Sequence, residues 1–199
     1  MALECSLHDP GEPPEVAFYY DFASPESYIA LERLATALAK QTPELTPIHA
    51  AALPQHRPLA AGDDARRAAL ERLGDAHGLL PFAWPPLTTG LDSADAVTVA
   101  TFAKSIGKVA AFSLALFRQI YAGGRDPATR DTLTLAAAAA EIHPRAVEQA
   151  LTRSRPAADA DAATRAALAA GVTRVPALRI GNRLLDGPSL LDLTDRSPT

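Results

Sequence analysis

Apolar residues run without interruption from Val16 to Tyr20 ("VAFYY"), a β-branched and aromatic stretch that predicts a buried strand. The period then changes. From Pro25 onward Tyr28, Leu31, Leu34, Ala35 and Leu38 recur at helical spacing and predict a helix to about Lys40. A weaker run from Leu45 to Leu53 suits a second strand, with Pro47 at its edge or first residue.

The middle of the chain is helical in pattern. Asp63 to Gly78 reads as a helix ended by its glycine, and "LLPFAWPP" (79–86) as a rigid connector. Ser93 to Gly124 predicts one or two helices stopped by Gly123-Gly124. Asp126-Pro127 suits the N-cap and N1 of another helix, and His143-Pro144 restarts the next. Residues 157–171 are helical again, with Gly171 as the C′ residue. The segment "RVPALRIGNRLLDG" (174–187) then holds two short strands joined by Gly181-Asn182, a tight hairpin signal. A short terminal helix starts near Pro188. Strand, helix, strand, helical block, hairpin and final helix pack most simply as an α/β sheet core with a helical insertion.

Composition narrows the function classes. The 199 residues are 48% hydrophobic and 21% charged, ordinary for a globular chain with a real core. A net charge of −4 argues against nucleic acid as a partner, because nonspecific affinity for phosphates needs clustered Lys and Arg. No apolar run approaches bilayer length; the longest, Leu133 to Ala140, reads as a buried helix. Residues 1–15, rich in Pro and acids, read as a flexible leader without a secretory pattern. The single cysteine, Cys5, lies there, so no disulfide can form within the chain. These features lead us to expect a cytoplasmic protein without a membrane partner.

Candidate chemistry centres on Ser24-Pro25-Glu26-Ser27, where strand hands over to helix. Ser at N-cap, Pro at N1 and Glu at N2 make an ordinary helix start. The same cap is also a place where orphan N–H groups and the helix dipole favour an anion. Ser27 reads as a capping or solvent residue and Tyr28 as core. No His/Cys/Asp/Glu spacing suggests a metal site. Val175-Pro176 is either a cis bond or a trans proline opening an edge strand.

The segments "FYYDFASPESYIA" and "GVTRVPALRIGNRLLDGPSLLDL" together resemble the DsbA-like branch of the thioredoxin superfamily. Within that branch they are most similar to kappa-class glutathione transferases and 2-hydroxychromene-2-carboxylate isomerases. The resemblance implies a thioredoxin-like fold over 16–60 and 156–195, with a helical insertion at 61–155. It places Ser24 and Ser27 where redox relatives carry Cys-x-x-Cys. Disulfide exchange needs a thiolate and a partner thiol, so that chemistry is excluded by this route.

The resemblance implies glutathione as co-substrate, with Ser24 catalytic: its hydroxyl would stabilise the glutathione thiolate for attack on a small hydrophobic or aromatic electrophile. Val175, beside a cis Pro176, would offer backbone groups to the cysteinyl part, and Gly187 and Ser189 would hold the γ-glutamyl end. A homodimer is possible by the same analogy. Two departures stand out. Ser189 replaces the acid that relatives use for the ammonium, with Asp186 nearby as a substitute or an ordinary turn residue. The loop "PQHRPLAAG" is shorter than in relatives; His56 and Arg57 there either serve a carboxylate or face solvent. His49 and His77 read as incidental, and Trp84 as connector packing or pocket wall. The alternatives are a non-redox thioredoxin-fold binding module, or an enzyme using a different low-molecular-weight thiol.

Overall fold

The computed structural model describes residues 16–37, 42–86, 90–187 and 190. In chain order Val16–Tyr20 forms β1, Pro25–Ala37 α1, Glu44–Pro47 β2, Asp64–Ala76 α2, Ala94–Ser105 α3 and Val109–Tyr121 α4. Arg130–Ala139 (α5), Pro144–Thr152 (α6) and Ser154–Ala169 (α7) lead to the hairpin strands Ala177–Ile180 (β3) and Arg183–Asp186 (β4). The four strands lie in the order β2-β1-β3-β4. β1 runs parallel to β2, with Tyr20 opposite Pro47, and antiparallel to β3, with Phe18 opposite Leu178.

All five residues of β1 are buried because both faces of the strand are covered. Val16, Phe18 and Tyr20 join one core with Phe112, Leu116, Phe117 and Ile120 of α4. Ala17 and Tyr19 face the other way, onto Ile48, Ala50, Leu53 and Ala167. Residues from the predicted insertion thus share a continuous core with the central strand. Phe112 and Phe117 are fully buried, so truncating either to Ala removes about 3–5 kcal/mol.

Two expectations need correction. The second strand stops at Pro47 instead of reaching Leu53, and Ala50–Ala52 is a 3-10 turn. The Ala50 N–H leaves the ladder to donate to Asp21 Oδ2 at 2.6 Å. Pro47, which has no N–H to offer, ends an edge strand, where that lack matters least. The helix predicted from Asp126-Pro127 begins at Arg130. Asp126 Oδ1 instead accepts the Ala128 N–H at 2.9 Å, a local turn that competes with helix. Thr129 takes over the cap by accepting the Thr132 N–H at 3.4 Å.

Other punctuation reads as written. Gly107, at φ 73°, separates α3 from α4, a conformation that L side chains rarely adopt. His143 Nδ1 caps α6 by accepting the Arg145 N–H, with Pro144 at N1. Lys40, the leader, and the terminal helix from Pro188 lie outside the described residues, apart from the buried Leu190. Among the described residues no helix is long and apolar enough to cross a membrane.

Candidate functional site

β1 ends at Tyr20, and the next three residues turn the chain into α1. Asp21 builds that turn. Only 2% exposed, its Oδ1 accepts the Ala23 N–H at 2.7 Å and the Ser93 hydroxyl at 2.6 Å. Its Oδ2 takes the Ala50 N–H, so one carboxylate ties β1, the 3-10 turn and the start of α3 together. From the opposite side the Tyr121 hydroxyl donates to the Phe22 carbonyl at 2.9 Å. Burial raises the Tyr121 pKa well above its ordinary value, and the Glu26 and Asp21 charges add to the rise, so it remains a donor.

The turn delivers Ser24 to the start of α1, 5% exposed. Its Oγ accepts the Ser27 N–H at 3.1 Å, as an N-cap does, and donates to Glu26 Oε2 at 3.3 Å. Glu26 Oε1 is held by Arg66 of α2 through Nη2 at 2.8 Å and Nε at 2.9 Å. Pro25 has no N–H, and that of Glu26 has no acceptor among the described residues. The α1 N-terminus therefore keeps positive character beside the Ser24 hydroxyl. Ser27 is not a solvent residue: it is fully buried, and its hydroxyl has no partner among the described residues. Tyr28 is core, and burial pushes its pKa up to about 12, with Glu32 adding to the rise and Arg118 opposing it.

A cavity of about 390 Å³ opens over this turn. Ser24 and Glu26 line one side, Val175, Arg174 and Gly187 another, and Ala69, Leu70 and Leu73 of α2 give an apolar wall. The Val175–Pro176 peptide is cis. Pro176 lies behind the lining, where its carbonyl accepts the Gly187 N–H at 2.9 Å. Among the described residues no hydrogen bond engages the N–H or C=O of Val175. Gly187 sits at φ 50°, and a Cβ there would meet Arg174 Cδ at 2.9 Å. Ser189 lies outside the described residues.

His56 and Arg57 line the cavity as well, so the short loop is part of the site. Desolvation lowers the His56 pKa; Asp21 and Glu26 pull it back up, while Arg66 pushes it further down. Trp84 does not line the cavity: it stacks on Phe82 at 4.9 Å and donates its indole N–H to Glu71. His49 is also elsewhere, 3.7 Å from Asp161, and His77 is the C-cap residue of α2. Sequence reasoning missed Asp21, Arg66 and Arg174. Asp21 and Arg174 sat inside the quoted motifs; Arg66 gave no signal, since one arginine on an exposed helix is common.

The family assignment follows from this frame. The chain belongs to the DSBA-like thioredoxin domain family, whose model matches residues 15–196. Its fold is similar to that of a 2-hydroxychromene-2-carboxylate isomerase, with TM-score 0.77 and 23% identity, over 90% of this chain and 92% of that one. A probable DsbA oxidoreductase from Streptomyces coelicolor gives TM-score 0.69 and 21% identity, over 94% and 92% of the two chains. The cytosolic disulfide reductase DsbM from Pseudomonas aeruginosa, in a structure with glutathione, gives 0.65 and 19%, over 91% and 96%. No curated protein matches the chain. These likenesses are likenesses of fold.

Proposed function

We propose that this protein is a glutathione-dependent isomerase or transferase, in which Ser24 stabilises the thiolate for attack on a hydrophobic or aromatic electrophile. One observation carries the reading. A buried serine hydroxyl at a helix N-terminus faces a cavity that Val175, its backbone N–H and C=O unpaired among the described residues, also lines. The residues fit the group: the Val175 N–H and C=O suit pairing with a cysteinyl backbone, and the Ser24 hydroxyl suits its sulfur. When bound, glutathione supplies a nucleophilic sulfur that adds to a conjugated double bond, then leaves after rotation or stays attached.

The chain's own residues do the rest. Ser24 would turn its O–H from the long 3.3 Å contact with Glu26 toward a bound sulfur. The free Glu26 N–H and the α1 dipole favour the negative charge there. His56 lines the same cavity, and its burial favours the neutral imidazole, the form that would accept the thiol proton. Leu70 and Leu73 offer an apolar surface to an aromatic substrate.

The structure with glutathione of a relative sharing the fold supports the choice of thiol. Calorimetric titration with glutathione tests it: saturable binding is expected, with thiol-dependent turnover reduced at least tenfold, on the order of 1.4 kcal/mol, in Ser24→Ala. Absence of binding at millimolar concentration, or full activity in Ser24→Ala, removes the reading. A binding module without thiol chemistry is the second reading. It is favoured by one observation, that the Ser24 hydroxyl already has an acceptor in Glu26.

A further inference from the structure

We propose that the cavity selects a thiol whose head group carries net negative charge, two carboxylates without an ammonium, held by Arg57 and Arg174. This rests on the reading that Ser24 holds a thiolate, and adds to it the chemistry of the rest of the ligand.

The charges lining the cavity are unequal. Arg57, Arg66 and Arg174 face it with Glu26 as the single lining carboxylate among the described residues. Arg66 is occupied: Glu26 takes its Nε and Nη2, and the Arg57 and Pro58 carbonyls accept from its Nη1. The other two cations are engaged less fully. Arg57, its side chain 71% exposed, reaches Asp63 only at 3.5 Å, a contact that contributes little in solvent. Arg174 donates through Nη2 to the neutral amide oxygen of Gln55; its Nε, buried and without a hydrogen bond among the described residues, lies 3.7 Å from Asp186 Oδ2. Each guanidinium therefore keeps terminal N–H donors that no other described residue takes, and these suit a ligand carboxylate.

The place for an ammonium is absent among the described residues. Glu26 already has its counter-charge in Arg66, which holds Oε1 through Nη2 and Nε. Asp186, the substitute suggested by the sequence, is 3.7 Å from Arg174 Nε and accepts the Thr173 hydroxyl at 3.4 Å. It does not line the cavity. An ammonium approaching it meets the Arg174 guanidinium, a like charge. Arg174 is also built into the wall: its Cδ fills the space that a Cβ on Gly187 would need. A zwitterionic head group is thus disfavoured at one end, while carboxylates find two guanidiniums with donors to spare.

The test compares glutathione, which has two carboxylates and an ammonium, with N-acetylglutathione, which keeps both carboxylates and loses the ammonium charge. Calorimetric titration of the full chain at pH 7 is expected to give N-acetylglutathione about tenfold tighter binding. Raising the salt concentration should weaken it, and Arg57→Ala and Arg174→Ala should each weaken it by about tenfold. Glutathione binding as tightly as its N-acetyl form, or more tightly, overturns this inference and leaves the role of Ser24 standing. Binding of neither thiol overturns both. The wild-type comparison decides even if a variant fails to fold.

Discussion

The Ser24 hydroxyl donates to Glu26 Oε2 at 3.3 Å, and the other oxygen of that carboxylate is clamped by Arg66. The contact is long for a hydroxyl donor. It leaves Ser24 parked on a weak acceptor that a thiolate in the cavity can displace. The same carboxylate places negative charge close to where the thiolate would form.

Replacing Glu26 with Gln removes that charge and frees the Arg66 guanidinium. Both changes favour an anion at Ser24, so the apparent pKa of a bound thiol should fall. The expected outcome is a pH–rate profile whose acidic limb moves to lower pH, with turnover on that limb up roughly threefold, about half a pKa unit. An unmoved limb would show that Glu26 does not sense the reacting sulfur.

Ser27 is fully buried, and among the described residues its hydroxyl has no partner. Ser27→Ala removes an unsatisfied polar group and improves helix propensity at N3 of α1. Stability should therefore rise, by about 1 kcal/mol, against the usual trend for buried substitutions. Urea unfolding measures it, and a loss of stability would mean that the hydroxyl has an undetected acceptor.

Asp21→Asn is nearly isosteric but places an amide NH2 against a donor, whichever way it turns. Ala23, Ser93 and Ala50 all donate to the carboxylate at 2.6–2.7 Å. Losing one such charge-assisted bond inside the fold costs about 2–4 kcal/mol. Urea midpoints should drop accordingly, and thiol binding should weaken as the turn carrying Ser24 loosens.

His56 makes stability depend on pH. Its folded pKa lies below the ordinary 6.5, with burial outweighing the upward pull of Asp21 and Glu26, and with Arg66 adding to the depression. Between the lowered value and 6.5 the unfolded chain binds more protons, so stability is full above that window and falls as pH drops through it. Thermal melts of His56→Gln should show a weaker loss over the same interval. Equal slopes for the two proteins would place the titration elsewhere.

Much of the fold was legible because its signals are local. β1, the N-cap at Ser24, the Pro-capped α6 and the Gly181-Asn182 hairpin each depend on neighbours within a few residues. The family resemblance paired "FASPES" with "VP" near the other end of the chain, and Ser24 and Val175 line one cavity. Where local signals competed, the reading failed. Asp126-Pro127 suited a helix start equally with the turn it makes, and Leu45–Leu53 looked extended until Asp21 drew the Ala50 N–H out of the ladder.

By itself, then, the sequence determined the order of elements and excluded dithiol chemistry, since it has no cysteine beyond Cys5. It could not determine which charges share a cavity. Arg57 and Arg174 are 117 positions apart (174 − 57), and nothing in that spacing sets them beside one another. The parallel β1–β2 pair, the turn at Val175–Pro176 and the seating of α2 bring them to one cavity with Ser24. Packing decided this, because Coulomb forces act through space and the spacing of residues along the chain does not record it.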